Sequence, residues 1–160
     1  DCLYLGNLDA RRDWGHARDY VRMQWLMLQQ DSPEDYVISS GEHHSVRDFV
    51  ILSARKLGIE IKFEGSGLDE VGVIASFSEQ FDESLSEGME IIRINPRYFR
   101  PTEVEELLGD PSKAIENLGW KTKITFEQLC EEMVLHDLKQ AKKHRLLISH
   151  GHEVDISKES

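Results

Sequence analysis

Cysteine is scarce in this sequence of 160 residues, which contains only Cys2 and Cys130. The two lie far apart and form no Cys-x-x-Cys pair, so the sequence indicates neither a disulfide framework nor a thiolate metal site. A single bridge between them is compatible with the sequence, although nothing in it requires one. Thiols in this pattern are typical of a reducing compartment, and they predict a cytoplasmic protein.

Long apolar runs and an excess of basic residues are also missing. No stretch approaches the ~20 apolar residues of a membrane-spanning helix, and residues 1–5 carry no basic segment of a signal peptide. The 30 acidic side chains outnumber the 19 basic ones and give a net charge of −11. Such a surface repels phosphate backbones, so we expect no nucleic-acid partner and no membrane partner. A local basic cluster can still bind a small phosphorylated ligand.

Several signatures of enzymes are absent as well. The sequence has no Tyr-x-x-x-Lys, no Gly-x-Ser-x-Gly and no Walker loop. Gly65, Gly67 and Gly72 have the wrong spacing for a dinucleotide-binding loop, which also requires a preceding strand and a following helix. Histidines at 43–44 and 150–152 lie in a loop and a tail, whereas a metal site needs three or four converging ligands. We therefore predict no catalytic residue and no metal site in this chain.

The elements that are present form one mixed α/β domain. Apolar spacing and capping residues predict helices over residues 17–30, 45–58, 112–118 and 125–144. Short strands are predicted over residues 3–5, 11–14, 35–39, 59–63 and 90–94. Two segments are predicted to be less regular, a mobile loop over 64–88 and a short helix or turn over 100–108. The predicted lobe spans residues 1–145, and a polar tail spans 146–160.

The first candidate binding segment runs from Arg11 to Asp19. Arginine presents a planar fork of donors that matches phosphate oxygens two at a time, so Arg12 at a strand end is a candidate pyrophosphate clamp. The alternative is a strand-to-helix corner in which Arg12 and Asp13 form a solvated ion pair of little energetic value. The local pattern by itself favours the corner.

The second candidate segment runs from Asn95 to Glu103. A diphosphate needs a cation and a ribose diol needs an acceptor, and Arg100 and Glu103 can supply both across a turn stiffened by proline. Tyr98 can add an aromatic face or a hydroxyl group. The alternative is an ordinary helix entry with Glu103 near the helix N-terminus. The local pattern does not decide between the two.

Five strings of the sequence, taken together, carry a family resemblance. They are Leu-Tyr-Leu-Gly-Asn-Leu-Asp (3–9), Arg-Asp-Trp-Gly-His-Ala (12–17), Asn-Pro-Arg-Tyr-Phe-Arg-Pro-Thr-Glu-Val (95–104), Leu-Gly-Asp-Pro-Ser-Lys-Ala (108–114) and Leu-Gly-Trp-Lys (118–121). In this order they resemble the C-terminal portion of GDP-mannose 4,6-dehydratases over almost the whole chain. The Arg-Asp-Trp and Gly-Trp pieces alone indicate only extended short-chain dehydrogenases that act on nucleotide sugars. The longer strings favour the GDP-mannose branch.

The resemblance implies a fold and a reaction. The fold is the α/β substrate-binding C-terminal lobe of an extended short-chain dehydrogenase, with the Rossmann domain absent from this chain. The reaction is a lyase reaction that uses NADP: GDP-mannose is oxidised at C4, loses water across C5 and C6, and is reduced at C6. The product, GDP-4-keto-6-deoxymannose, is a precursor of GDP-fucose and GDP-rhamnose. The family also forms homodimers and homotetramers.

The resemblance further implies which residues bind and which are missing. Arg12 and Arg100 match family arginines that approach the diphosphate, Glu103 matches the acid on the ribose, and Tyr98 matches a tyrosine beside the nucleotide. The family's cofactor loop, Tyr-x-x-x-Lys pair and catalytic Thr and Glu have no match here, so this chain alone is expected to be inactive. The missing initiator Met favours a part of a longer protein. Two alternatives stay open: the lobe of another nucleotide-sugar epimerase or reductase, and a non-catalytic binding fragment.

Overall fold

The computed structural model describes residues 2–78, 85–102 and 108–154. The strands are β1 (Leu3–Leu5), β2 (Arg11–Arg12), β3 (His44–Ser45), β4 (Ile59–Glu64), β5 (Val71–Phe77) and β6 (Glu90–Ile94). The helices are α1 (Ala17–Leu28), α2 (Val46–Lys56), α3 (Ser112–Leu118) and α4 (Phe126–Ser149), and Gly67–Asp69 form one 3-10 turn. The mixed α/β class predicted from the sequence is confirmed.

Four of the strands form one sheet, in the order β1-β6-β5-β4. β1 runs parallel to β6, with Leu3 opposite Ile92 and Leu5 opposite Ile94, and the other two pairs are antiparallel. β2 and β3 form a separate antiparallel ribbon in which Arg12 lies opposite His44. α2 packs on β4 and on α4. In the described part of the chain, no sheet of parallel strands alternating with helices occurs, unlike in a dinucleotide-binding domain.

All four helices begin within one residue of the predicted positions. Ser45 and Asp48 form a complete capping box at the start of α2, and Thr125 and Gln128 form another at the start of α4. Each box pairs two backbone N–H groups that have no partner inside the helix. After α2, Gly58 adopts a left-handed conformation with φ of 76° and turns the chain into β4.

The core lies where α1, α3 and the segment after α3 meet. Met23, Ala114 and Trp120 are buried there. Partly buried apolar side chains surround them: Tyr20, Leu26, Met27, Tyr36, Ile38 and Leu118. The indole N–H of Trp120 donates to the backbone carbonyl of Asp19 at 2.9 Å, so its one polar group is paired inside the core.

The two cysteines are both free thiols. Cys130 lies on the buried face of α4 and has no exposed surface. Burial raises the pKa of Cys130 to about 11, so the nucleophilic thiolate is scarce at neutral pH. Cys130 is therefore a core residue and not a nucleophile.

The prediction of a loop over residues 64–88 is wrong for much of that stretch. β5 occupies residues 71–77 and lies between β4 and β6. Gly72 hides the strand signal, because glycine is a poor strand former. It is needed, however: a Cβ on Gly72 would lie 2.9 Å from the Cβ of Ile92 in the neighbouring strand. Residues 79–84 of the same stretch lie outside the described residues.

The predicted strand over residues 35–39 is also wrong. These residues form no ladder, and their polar groups bond to other segments instead. The Ser39 hydroxyl donates to the Gly109 carbonyl at 2.7 Å, and Lys113 donates to the Asp35 carbonyl at 2.9 Å. The apolar side chains of Tyr36 and Ile38 face the core cluster without a sheet, which explains the strand-like pattern.

The longest helix continues past the last residue of its apolar pattern. α4 extends through Ser149, so the prediction that the helix ends near His144 is wrong. The first residues of the predicted tail are thus helical, and residues 155–160 lie outside the described part. Among the described residues, no helix combines the length and apolar character that crossing a membrane requires.

Candidate functional site

A cleft of about 520 Å³ opens at the end of β1 and β6, within the volume range of small-ligand sites. Three segments line it: the loop from β1 to β2, the turn before β5, and the turn after β6. The lining residues are Gly6, Asn7, Leu8, Asp9, Ala10, Arg11, Gly67, Glu70, Ile94, Phe99 and Pro101. The cleft therefore combines segments that are distant in the sequence and places both signs of charge on its walls.

Asn7 joins two of these segments. Its side-chain amide donates to the Arg100 carbonyl at 2.9 Å, and its side-chain oxygen accepts from the Arg100 N–H at 2.8 Å. The backbone of Arg100 is thus held on both sides, while its side chain is exposed. Since Phe99 and Pro101 line the cleft, Arg100 lies on the rim between them. Arg100 itself is not among the lining residues that the structure describes.

Tyr98 lies in the same turn, with about half of its surface exposed. The turn starts at Asn95, whose carbonyl accepts from the N–H groups of Tyr98 and Phe99 at 2.9 and 3.0 Å. The backbone passes close over Gly6, where a Cβ would lie 2.4 Å from the Tyr98 carbonyl oxygen. A glycine at position 6 is therefore required for the approach of the two cleft segments.

Arg12 takes a different position from Arg100. It is half-buried in β2, and its Nη1 donates to the carbonyl of Arg11 at 2.6 Å. Arg12 is not among the cleft-lining residues that the structure describes, whereas Arg11 is. Arg11 also contacts His43, with 3.0 Å between Nη1 and Nε2. The structure thus brings Arg11 and the Arg100 turn to one cleft and places Arg12 beside it.

Asp13, next along the chain, builds the corner before α1. Its Oδ2 accepts from the Ser40 N–H at 2.6 Å, and its Oδ1 accepts from the Tyr20 hydroxyl at 3.2 Å. Burial, and then the charge of Asp13, raise the pKa of Tyr20 to about 12, so this hydroxyl stays a donor. Gly15 lies against the same ring, because a Cβ there would be 2.2 Å from the hydroxyl oxygen.

Trp14 and His16 complete the corner. The indole N–H of Trp14 donates to the His44 carbonyl at 3.0 Å, and its ring lies 5.0 Å from that of Phe49. His16 caps α1, since its Nδ1 accepts from the Arg18 N–H at 3.0 Å. Within the Arg-Asp-Trp-Gly-His string, the last four residues therefore hold the corner together.

The sequence also predicts a ribose acceptor at Glu103 and no metal site. Glu103, the predicted ribose acceptor, lies outside the described residues. No group of three or more His, Cys, Asp or Glu in the described ranges is arranged to hold a metal ion. Sequence reasoning missed Asn7, Arg11 and Glu70 as cleft residues. Of these three residues, only Arg11 has a signal in the sequence, because it precedes Arg12, the predicted phosphate-binding residue.

The described residues do not fit a dinucleotide cofactor. Gly65 and Gly67 have positive φ angles, yet they belong to a turn between two antiparallel strands. A dinucleotide-binding loop instead joins a strand to a helix whose N-terminus faces the pyrophosphate. Gly65 and Gly67 therefore do not form a dinucleotide-binding loop.

The fold of this chain is shared by solved structures. It matches the RMD enzyme of Pseudomonas aeruginosa, solved in complex with NADPH, and the UDP-glucose 4-epimerase of Thermotoga maritima, solved with UDP-glucose. Both alignments have a TM-score of 0.59 and 18% identity and cover 87% and 88% of this chain but only 36% of each enzyme. At that identity the likeness concerns the fold alone, an α/β unit that makes up about a third of each of these enzymes.

The family follows from sequence similarity. The family model of GDP-mannose 4,6 dehydratase matches residues 1–133. The chain is 59% identical over 160 residues to the GDP-mannose 4,6-dehydratase of Yersinia enterocolitica and 49% identical over 140 residues to that of Drosophila melanogaster. The chain belongs to the GDP-mannose 4,6-dehydratase family. The two alignments include 100% and 88% of this chain, but only 43% and 33% of the length of the two relatives.

Proposed function

We propose that this chain is the nucleotide-sugar-binding lobe of a GDP-mannose 4,6-dehydratase, which converts GDP-mannose to GDP-4-keto-6-deoxymannose. The observation that carries the proposal is the 59% identity with a dehydratase along all 160 residues. The cleft supports it, because Arg11 on the wall and Arg100 on the rim provide cations for a diphosphate in a protein of net charge −11.

The roles proposed for single residues follow the family motifs and the geometry together. Arg100 binds the diphosphate from the rim, where Asn7 holds its backbone. Arg12 binds the same group from the ribbon beside the cleft, Glu103 accepts from the ribose, and Tyr98 lies along the nucleotide. A charge-assisted hydrogen bond from each arginine would give the anionic part of the substrate its orientation.

The remaining parts of the proposal concern the complete enzyme. NADP supplies and recovers the hydride, and it is bound mainly by a part of the enzyme outside this chain, where the acid and base residues also lie. The solved enzymes of this fold carry NADPH or NAD, which supports a nicotinamide cofactor in general. The enzyme would act in the cytoplasm as a homodimer or homotetramer, and its product would feed GDP-fucose or GDP-rhamnose synthesis.

The products of a single assay separate the dehydratase from its alternatives. We expect the complete enzyme, incubated with GDP-mannose and catalytic NADP, to yield a nucleotide sugar lighter by one water molecule. An epimerase would yield an isomer of unchanged mass, and a reductase would leave GDP-mannose unconverted because the assay contains no reduced cofactor. Chromatography followed by mass spectrometry of the nucleotide sugar distinguishes the three results, and the 160-residue chain assayed alone is the negative control.

A further inference from the structure

The turn between β4 and β5, residues 65–70, forms one wall of the cleft through Gly67 and Glu70. Its shape depends on glycine: Gly65 and Gly67 have φ angles of 81° and 60°. A Cβ on Gly65 would lie 2.6 Å from the Asp69 carbonyl oxygen, so another residue there would open the turn. The backbone of the turn thus determines its shape, and a contact from another element holds the turn in place.

Arg47, in the first turn of α2, makes that connection. Its Nη1 and Nη2 donate to the two carboxylate oxygens of Glu70 at 2.6 and 3.2 Å, and its Nε donates to the Asp9 carboxylate at 2.8 Å. The face of the guanidinium lies 4.6 Å from the ring centre of Phe63. Asp9 and Glu70 belong to two different segments that line the cleft, so one side chain joins the two segments.

Two backbone N–H groups of α2 bind the loop that leads from β1 to β2. The Arg47 N–H donates to the Leu8 carbonyl at 2.8 Å, and the Val46 N–H donates to the Ala10 carbonyl at 3.2 Å. The first N–H groups of a helix have no partner within it, so α2 uses them to hold the loop from β1 to β2. The start of α2 therefore fixes that loop through its backbone and the turn before β5 through the Arg47 side chain.

The ion pair is more buried than a surface pair. The Glu70 side chain is only 13% exposed and that of Arg47 is 23% exposed. The hydrogen bonds to Glu70 are the main reason that the pKa of Arg47 is raised, so the guanidinium stays charged. Without its partner, the Glu70 carboxylate would be an uncompensated charge in a partly buried place, which is strongly unfavourable. It would also face the anionic part of a bound nucleotide sugar.

From these contacts, and on the basis of the proposed function, we propose that Arg47 is a positioning residue for the nucleotide sugar. It holds the turn at 65–70 as a wall of the cleft and neutralises Glu70 there. Arg47 itself stands behind the wall and does not line the cleft that the structure describes. Lysine cannot replace it, because a single ammonium group lacks the planar fork that reaches both carboxylates.

The test uses Arg47→Lys in the complete enzyme, a change that keeps the charge and most of the side chain. We expect the Kd for GDP-mannose, measured by calorimetry, and the KM to rise roughly tenfold, the usual value of one charge-assisted hydrogen bond. The kcat should change by less than about threefold, because the lost interaction serves binding more than the chemical step. Thermal unfolding of the same variant measures any structural loss separately.

Arg55→Lys is the matched control. Arg55 lies on the same helix and pairs with Glu60 of β4, but the two side chains are 58% and 52% exposed and lie outside the cleft. Exposed pairs contribute little, so Kd and KM should stay within about twofold of the wild-type values. Glu70→Gln provides a second, independent variant: it should raise Kd in the same direction, and the double variant should show less than the sum of the two effects.

The outcomes separate this proposal from the proposed function. An active wild-type enzyme whose Arg47→Lys variant binds GDP-mannose as tightly as before, even with lower thermal stability, would show that Arg47 is only structural. Additive effects of the Arg47 and Glu70 substitutions on Kd would show that the two residues do not act through their ion pair, and would also overturn the proposal. A wild-type enzyme that neither binds nor converts GDP-mannose would instead overturn the proposed function, and this proposal with it.

Discussion

Replacing Arg100 by alanine is expected to weaken the binding of GDP-mannose to the complete enzyme by ~1.5–3 kcal/mol, the usual range for hydrogen bonds to a charged group. This corresponds to a rise in Kd of roughly 10- to 100-fold. The substitution leaves the surrounding turn intact, because Asn7 binds the backbone of residue 100 and not its side chain. Isothermal calorimetry with GDP-mannose and, separately, with NADP measures the effect.

The controls for Arg100→Ala follow from the geometry. NADP affinity should not change, and a loss of NADP affinity in place of GDP-mannose affinity would show that Arg100 serves the cofactor. Arg93→Ala removes another exposed arginine, one that pairs with Glu90 on the strand leading to the same turn. Arg93 neither lines the cleft nor lies between two lining residues as Arg100 does, so its removal should leave both affinities unchanged.

Replacing Asp19 by alanine is expected to lower the free energy of unfolding by about 3 kcal/mol, since two backbone donors lose their acceptor. Asp19 is only 3% exposed, and its Oδ2 accepts from the N–H groups of Lys123 and Ile124 at 2.8 and 3.0 Å. This one carboxylate therefore anchors the segment that joins α3 to α4. Thermal unfolding followed by the fluorescence of the buried Trp120 measures the loss.

Two variants check the cause of this destabilisation. Asp19→Asn keeps an acceptor oxygen of similar size, so it should lose less stability than Asp19→Ala. Asp137→Ala removes an exposed aspartate of α4 and should change stability by no more than about 0.5 kcal/mol. Equal losses for the alanine and asparagine variants of Asp19 would mean that the charge, rather than the hydrogen-bond acceptor, stabilises the segment.

Local signals explain why most elements are predictable. The capping boxes at Ser45 and Thr125 act within four residues, and the glycine after α2 acts within one turn. Interactions of this range depend only on neighbouring residues, so the sequence reveals them directly. β5 is different: its glycine at position 72 lowers the strand propensity, and only the close approach of Ile92 from β6 explains that residue.

The predicted binding residues are also visible in the sequence only in part. The sequence motifs predict Arg12, Arg100, Tyr98 and Glu103 as binding residues, yet the pattern of residues could not show that Asn7 binds the backbone 93 positions away. Nor could it show that Arg47 reaches Glu70, 23 positions further along the chain. Glu70 lies in a stretch whose composition predicts a loop, so nothing local marked it as a cleft residue.

The mixed α/β class, the caps of the helices and the family can be read from the amino-acid sequence, because each depends on residue types at short or fixed spacing. The same strings predict arginines for a diphosphate. The tertiary structure alone decided which of those residues share a cleft and what holds its walls. The reason is physical: hydrogen bonds and ion pairs between distant residues depend on the path of the whole chain, which no local pattern records.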